Sequence, residues 1–155
     1  MPQPPLKPDK RWPSSTGAYV ILIRLDEPAT VGVGRLGHPV LPAGVYGYCG
    51  SARGPGGLGA RLTRHHRPTK TRHWHVDHLT TVGEIIHTFA LPGGDECSCV
   101  AALTAIQDVI QPVRGFGSSD CRRCRAHLVS FPTNWRVNNL IVSADLALSS
   151  EQVPD

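Results

Sequence analysis

The sequence lacks any apolar run long enough to cross a membrane. The strongest run near its start, 18–23, contains six residues, whereas a transmembrane helix needs about 20. The first residues, Met1-Pro-Gln-Pro-Pro-Leu-Lys-Pro, also lack the apolar segment of a signal peptide. We therefore expect a soluble, cytoplasmic protein with no membrane partner.

Charged residues are scarce as well, at 18%, while hydrophobic residues make up 40%. This balance excludes a disordered or collagen-like chain, and 155 residues are enough for one domain with its own core. The sequence contains no internal repeat. Its proline and charge distribution predicts a flexible proline-rich arm over 1–13, a single domain over 14–145 and a polar tail over 146–155.

Acidic residues are absent between Glu27 and Asp77, an interval rich in arginine and histidine. A second basic cluster follows closer to the end of the predicted domain. The basic residues of the two clusters are Arg35, Arg53, Arg61, Arg64, Arg67, Lys70, Arg72, Arg114, Arg122, Arg123 and Arg125. Local positive charge attracts polyanions and therefore predicts DNA as a partner. A solvated basic face, balanced by acids elsewhere in the fold, is the alternative interpretation.

The hydrophobic pattern predicts a fold of the α+β class. Apolar and β-branched segments predict strands at 17–25, 45–50, 84–91, 126–131 and 137–143, and a β-hairpin formed by 31–35 and 38–41. Helices are predicted for about ten residues after the glycine-rich segment 51–57, over 73–80, and from Asp95 to about 110. Strands and helices do not alternate regularly, so we expect a short antiparallel or mixed sheet flanked by helices, with the hairpin as an insertion.

Three side chains suited to phosphodiester chemistry lie where a predicted strand leads into the first helix. Tyr48 is near the end of the strand, and Arg61 and His65 share one helical face because they are four residues apart. Phosphodiester hydrolysis requires a base for the attacking water, a cation for the phosphate oxygens and a metal ion for the leaving oxygen. Taken singly, the three residues have bland alternatives: a half-buried strand tyrosine, a surface arginine and a helix-end histidine.

Glu96 extends the apolar stripe of the third predicted helix. The stripe consists of Cys99, Leu103, Ile106 and Ile110. A carboxylate on the core-facing side of a first helical turn needs a cation, hydrogen bonds or the helix dipole to be tolerated. Ligation of Mg²⁺ or Mn²⁺ fits this position. The alternative is a glutamate that the helix dipole favours and that reaches solvent.

In their order along the chain, these motifs resemble the signature of the GIY-YIG nuclease superfamily. The similar elements are Gly17-Ala18-Tyr19 on the first strand, Tyr48-Cys49-Gly50-Ser51 on a later strand, and Arg61 and His65 on the following helix. Tyr19 lies 29 residues before Tyr48, whereas the family usually joins the two motifs by a short loop, and the predicted hairpin accounts for the difference.

A narrower resemblance, over roughly 17–131, is to an uncharacterised branch of that superfamily, found alone or fused to endonuclease III-type repair glycosylases. The segments that carry it are Tyr48-Cys-Gly-Ser-Ala, Arg64-His65, Trp74-His-Val-Asp77, Glu96-Cys97, Gly115-Phe-Gly-Ser-Ser-Asp-Cys121 and His127-Leu128.

The resemblance implies a divalent-metal-dependent DNA endonuclease, with branched or damaged DNA in repair as candidate substrates. It implies that Tyr48 is the general base with Tyr19 assisting, that Arg61 holds the scissile phosphate, that His65 positions water or the tyrosine hydroxyl, and that Glu96 binds Mg²⁺ or Mn²⁺. The basic residues expected to bind substrate are Arg53, Arg64, Arg67, Lys70, Arg72 and His75. The alternative function is a catalytically silent nucleic-acid-binding module of a DNA repair complex, with a repair protein as partner.

The five cysteines, an odd number, argue against a disulfide framework in a reducing compartment. Cys121 and Cys124 have the spacing of a zinc knuckle, and His127 follows three residues later. Cys97 is the preferred third ligand of a structural Zn²⁺ and His127 the fourth, with Cys99 as an alternative. A structural metal ion would order the segment 118–128, which has little apolar surface to bury. Buried thiols and a redox pair are the competing interpretations.

Overall fold

An antiparallel sheet of four strands forms the centre of the fold in a computed structural model that describes residues 12–32, 36–67, 70–71, 74–118 and 121–136. The strands are β1 (Gly17–Leu25), β4 (Gly44–Ala52), β5 (Glu84–Pro92) and β6 (Leu128–Ser130), in the spatial order β5-β1-β4-β6. Two short strands, β2 (Ala29–Thr30) and β3 (Val40–Leu41), pair separately. With three helices in the described ranges, the fold is α+β, as predicted.

Strand β1 lies in the interior of the sheet because nearly every one of its side chains is apolar. Only Arg24 is exposed. Alternate residues point to opposite faces, so Tyr19 and Ile21 belong to one hydrophobic core, while Val20 and Leu22 belong to a second. Burial of both faces explains why the segment shows no alternation of apolar and polar residues.

The helices cover the two faces of this sheet. Helix α1 (Gly57–His65) contributes Leu58 and Leu62 to the core that contains Tyr19, and helix α2 (Asp77–Thr80) contributes Leu79 to the same core. Helix α3 (Glu96–Thr104) packs its Cys99 and Leu103 into the other core. Asp95 caps α3, since its carboxylate accepts a hydrogen bond of 3.0 Å from the backbone N–H of Ser98.

The third helix is shorter than predicted. It ends at Thr104 instead of about residue 110, because Ile110 pairs with Ser130 at the edge of the sheet. The backbone N–H and carbonyl groups of these two residues hydrogen-bond reciprocally at 3.2 and 2.7 Å. Ile110 is largely exposed, so its predicted place in the apolar stripe of α3 was wrong.

Other boundaries shift by smaller amounts. Helix α2 is shorter than the predicted 73–80, and β6 is shorter than the predicted 126–131. The inserted strand pair between β1 and β4 is present, but Ala29 and Thr30 form its first arm instead of 31–35. Residues 33–35, which lie between the two strands in the sequence, are outside the described residues.

The predicted strand at 137–143, the tail at 146–155 and most of the arm, 1–11, also lie outside the described residues. Trp12 is buried, and its ring lies 4.9 Å from the ring of His66. Among the helices of the described ranges, none has the length and hydropathy needed to span a bilayer.

Candidate active site

A cavity of about 470 Å³ opens where β1, β4, α1 and α3 approach one another. Tyr19 of β1, Tyr48 of β4, Arg61 of α1 and Glu96 of α3 all line it. The remaining wall residues are Ser51, Trp74, His75, Gly117, Cys121, Arg122, Arg123 and His127. The cavity therefore collects one carboxylate, two phenols and several cationic side chains from separate parts of the chain.

Glu96 reaches this cavity although α3 packs against the opposite face of the sheet from α1. It lies in the first turn of α3, with 28% of its side chain exposed, and its Oε2 is 3.7 Å from Nδ1 of His127. His127 directly precedes the edge strand β6, and its carbonyl accepts a hydrogen bond of 2.9 Å from the backbone N–H of Cys49. The carboxylate thus sits at the β6 edge of the sheet, from which it lines the cavity.

Two glycines make room for the two tyrosine rings. Gly50 lies opposite Tyr19 in the β1–β4 pairing, and a Cβ atom there would overlap the Tyr19 ring. Gly117 has a φ of +72°, and a Cβ atom there would lie 2.6 Å from Cε1 of Tyr48. The ring centroids of the tyrosines are 6.3 Å apart. Gly50 and Gly117 are therefore explained by the close approach of an aromatic ring.

The hydroxyl of Tyr19 is already engaged by a buried histidine. Its oxygen lies 2.8 Å from Nε2 of His65. His65 is only 1% exposed and is not part of the cavity wall. Burial, with further contributions from Lys70 and the nearby arginines, lowers the pKa of His65 to about 3, so its ring is neutral near pH 7. Of the two roles expected for His65, its location favours orientation of the tyrosine hydroxyl.

The buried carboxylate of Asp77 determines which arginine is available to a substrate. Arg64 donates two hydrogen bonds to it, at 3.0 and 2.9 Å, and the backbone N–H of Trp74 donates a third. Both Arg61 and Arg64 place their Cζ atoms 4.2 Å from the centroid of Trp74. Arg61 donates to the carbonyl of Ser51 at 3.1 Å and forms no ion pair with any carboxylate of the described residues. The positive charge of Arg61 therefore remains open to an anion.

Tyr48 differs from Tyr19 in that its hydroxyl makes no hydrogen bond with any residue that the structure describes. It is 6% exposed, on the cavity side. Burial raises its pKa well above the usual value of 10.0, Tyr19 and Glu96 add to this effect, and Arg61 opposes it. Burial likewise raises the pKa of Tyr19. Both phenols are therefore protonated at neutral pH in the absence of further positive charge.

A family model described as "Domain of unknown function DUF123" matches residues 18–149, which include the whole cavity wall. The chain belongs to the DUF123 family. No curated protein and no solved structure matches the chain significantly.

The DUF123 fold thus brings four of the five predicted catalytic residues into one cavity, namely Tyr19, Tyr48, Arg61 and Glu96. The fifth, His65, lies directly behind Tyr19. The four candidate zinc ligands also come together, since one ligand atom from each of Cys97, Cys121, Cys124 and His127 lies within 4.8 Å of the others.

The residues expected to bind substrate are more dispersed. His75 lines the cavity, and its Nδ1 accepts a hydrogen bond of 2.8 Å from the backbone N–H of Gly117. A neutral His75 ring therefore carries its proton on Nε2, as a donor. Arg53 is exposed and Arg67 is half-buried, both outside the cavity wall. Arg72 lies outside the described residues.

Two of the expected substrate-binding residues have internal partners. The charge of Arg64 is neutralised by Asp77. Lys70 donates a hydrogen bond to the backbone carbonyl of His65, and burial lowers the pKa of Lys70 to about 8. Neither side chain is part of the cavity wall.

Sequence reasoning assigned no role to Asp77. The sequence could have indicated an ion pair, because Asp77 is the first acidic residue after the long interval without any. It is therefore a natural counter-charge for that basic stretch. Arg122 and Arg123 were identified as part of a basic cluster, and the predicted zinc ligands Cys97, Cys121 and Cys124 would place that segment near Glu96 to help hold DNA. Both arginines line the cavity wall.

Proposed function

We propose that this chain is a divalent-metal-dependent DNA endonuclease of the GIY-YIG type. The observation that carries the proposal is the meeting of Tyr48, Arg61 and Glu96 in one cavity, although they come from a strand, a helix on one face of the sheet and a helix on the other. A merely structural role for each would not require that they share one concave surface. Phosphodiester hydrolysis uses a base, a cation and a metal ligand at one place.

Glu96 fits a site for Mg²⁺ or Mn²⁺. It is a partly exposed carboxylate in a polar cavity, and among the described carboxylates it alone lines that wall. Magnesium sites commonly use one or two carboxylates and complete their coordination with water and substrate phosphate. A bound divalent cation would neutralise charge that develops on the leaving oxygen.

Residues of the chain itself provide the phosphate-binding cation and the base. Arg61, which lacks a carboxylate partner among the described residues, binds the scissile phosphate and stabilises its transition-state charge. Tyr48, whose hydroxyl makes no hydrogen bond with a described residue, acts as the base. Its phenolate form accepts the proton of the attacking water. Because burial raises the pKa of Tyr48, the proposal requires cleavage to become faster as pH rises into the alkaline range.

Tyr19 and His75 hold the geometry around the phosphate. The hydrogen bond to His65 fixes the phenol of Tyr19 at the cavity wall, beside Tyr48. His75 offers Nε2–H as a neutral donor, because its Nδ1 already accepts from Gly117. Neutral donors orient a phosphate without adding a charge that must be desolvated.

The basic rim of the cavity supports DNA as the substrate class. Arg122 and Arg123 are exposed and line the cavity, and the chain has a net charge of +4. Arginines on an exposed rim bind phosphates and position a nucleic acid without reading its sequence. Branched or damaged DNA, on which repair enzymes act, is the substrate class that we propose to test.

A catalytically silent nucleic-acid-binding module of a repair complex is the second candidate. One observation favours it: burial raises the pKa of both cavity tyrosines, which opposes their action as bases. Such a module would keep the basic rim and bind a repair protein, but it would not need a metal ion at Glu96.

A cleavage assay separates the two functions. Intact, nicked, flapped and branched DNA would each be incubated with the full chain and Mg²⁺, Mn²⁺ or EDTA. The proposal predicts cleavage of at least one substrate with a divalent ion and none with EDTA. Arg61→Ala should lower the cleavage rate by about 100- to 1,000-fold, whereas the matched variant Arg24→Ala, in an exposed arginine outside the cavity, should retain it. DNA binding without cleavage in either metal would support the silent module instead.

A further inference from the structure

Three cysteines and one histidine form a compact cluster next to the candidate active site. We propose that Cys97, Cys121, Cys124 and His127 bind one structural Zn²⁺ ion. One ligand atom from each residue lies within 4.8 Å of the others. The Sγ atoms of Cys97 and Cys121 are 3.6 Å apart, which agrees with the roughly 3.5–4 Å between two thiolates bound tetrahedrally to zinc with Zn–S bonds of ~2.3 Å.

His127 provides an independent observation that points to a ligand. The residue is 2% exposed, and both of its ring nitrogens are buried without a hydrogen bond to any described residue. Oε2 of Glu96 lies 3.7 Å from Nδ1, which is beyond hydrogen-bonding distance. Buried polar groups are rarely left without partners because desolvation is costly. A metal bond would give one of the two ring nitrogens a partner.

The thiols of the cluster lie nearer the surface than the remaining cysteines. Cys97, Cys121 and Cys124 are each partly exposed. Cys49 and Cys99, in contrast, are buried in the apolar core and are not members of the cluster.

The ion would join three parts of the fold. Cys97 belongs to the first turn of α3, the Cys121–Cys124 turn follows a glycine-rich loop, and His127 leads into β6. The loop is closed by two backbone hydrogen bonds, from Gly115 to the carbonyl of Arg125 and from His127 to that of Phe116. The exposed arginines of this segment bury little surface, so packing alone stabilises it weakly. A metal cross-link would stabilise it further.

Four protein ligands leave no open position for water, so this zinc would be structural and not catalytic. Its effect on the active site is positional. Arg122 and Arg123 lie between the two cysteines of the turn and line the cavity, and Arg123 also pairs with Asp95, the cap of α3, at 3.0 Å. The zinc would hold these arginines beside Glu96, which directly precedes Cys97.

A disulfide is the main chemical competitor. The Sγ–Sγ distance of 3.6 Å is well above the ~2.0 Å of an S–S bond, and all five cysteines are free thiols. The zinc proposal can be tested without nuclease activity, because the quantity measured is the metal content of the protein.

The test is metal analysis of the full chain purified under reducing conditions from cells supplied with zinc. We expect about one zinc ion per chain in the wild type. Cys97→Ser and Cys121→Ser should each reduce zinc to a small fraction of that value, while the matched control Cys99→Ala, two residues from Cys97 on the same helix, should retain it. A wild type without zinc, or variants that keep the full zinc content, would overturn the proposal.

Cobalt substitution keeps the proposal falsifiable where a cysteine variant fails to fold. Wild-type chain stripped of metal by a chelator and reloaded with Co²⁺ should show the intense visible bands of tetrahedral cobalt and a near-ultraviolet thiolate charge-transfer band. Absence of these bands would contradict a thiolate-rich tetrahedral site. Mass spectrometry that finds a disulfide among Cys97, Cys121 and Cys124 in freshly purified, zinc-free protein would assign the cluster to redox chemistry instead.

Discussion

The hydroxyl oxygen of Tyr19 lies 2.8 Å from Nε2 of His65 and thereby joins the central strand β1 to the last residue of α1. Both residues are 1% exposed. Nδ1 of His65 is 3.9 Å from Oδ1 of Asp77 and makes no hydrogen bond with a described residue. The site therefore places a neutral imidazole behind a neutral phenol, and protonation of the second ring nitrogen would put a poorly solvated charge in the core.

The first prediction concerns acid stability. The pKa of His65 is about 3 in the folded protein, chiefly because of burial, against about 6.5 for an unfolded histidine. As pH falls below 6.5 the unfolded chain binds a proton that the folded chain does not, so the free energy of unfolding decreases, by up to about 1.4 kcal/mol per pH unit, until pH approaches 3. Urea denaturation of wild type and His65→Gln should give a stability difference that narrows from pH 7 to pH 4. A constant difference would show that His65 titrates normally.

The second prediction separates two arginines that both stack on Trp74. Arg64→Ala leaves the fully buried Asp77 carboxylate without its bidentate partner, so we expect a loss of about 3–5 kcal/mol in the free energy of unfolding. Arg61→Ala should cost less than about 1 kcal/mol but lower the cleavage rate by about 100- to 1,000-fold. Denaturant titration and single-turnover cleavage measure the two effects. Equal stability losses for both variants would contradict this division.

The third prediction tests the close approach of Tyr19 to β4. A Cβ atom at Gly50 would overlap the Tyr19 ring, whereas one at Gly54 would meet no atom within 4 Å. Gly50→Ala should therefore lower the free energy of unfolding by about 1–3 kcal/mol and displace the hydroxyl from His65. Gly54→Ala should stay within about 0.5 kcal/mol of wild type. If the two variants are equally stable, the ring does not lie against Gly50.

The fourth prediction concerns DNA affinity. Arg122 is exposed on the cavity rim, and one phosphate contact contributes about 0.9 to the slope of log affinity against log salt. Arg122→Ala should weaken binding and reduce that slope by about one. Arg24→Ala, at the far end of β1 and paired with Glu84 and Asp26, should change neither quantity. Fluorescence anisotropy at several salt concentrations distinguishes the two variants, and an unchanged slope for Arg122→Ala would remove it from the DNA interface.

The fold was largely predictable because its strands carry strong local signals. The boundaries of β1 were predicted correctly, since a short apolar run that is rich in β-branched residues and bounded by glycine and charge favours a buried strand. The C-terminal boundary of α3 was wrong because its helical stripe included Ile110, whose partner Ser130 is distant in sequence. Local periodicity contains no information about such long-range pairing.

The candidate site was predictable only in part, for the same reason. Tyr19, Tyr48, Arg61 and Glu96 were identified from motifs and meet in one cavity. The neutralisation of Arg64 by Asp77 depends instead on tertiary contacts between α1 and α2. The motif alone cannot tell a structural arginine from one that is free to bind an anion.

The role of Glu96 is the most direct test of the proposed metal-dependent chemistry. Single-turnover cleavage with Mg²⁺ would be measured for wild type, Glu96→Gln and the matched control Glu84→Gln, which changes an exposed glutamate on β5 outside the cavity wall. DNA affinity would be measured for the same samples. We predict that Glu96→Gln slows cleavage at least about 100-fold while its DNA affinity and the activity of Glu84→Gln stay near wild type. Cleavage by Glu96→Gln at the wild-type rate would contradict the account.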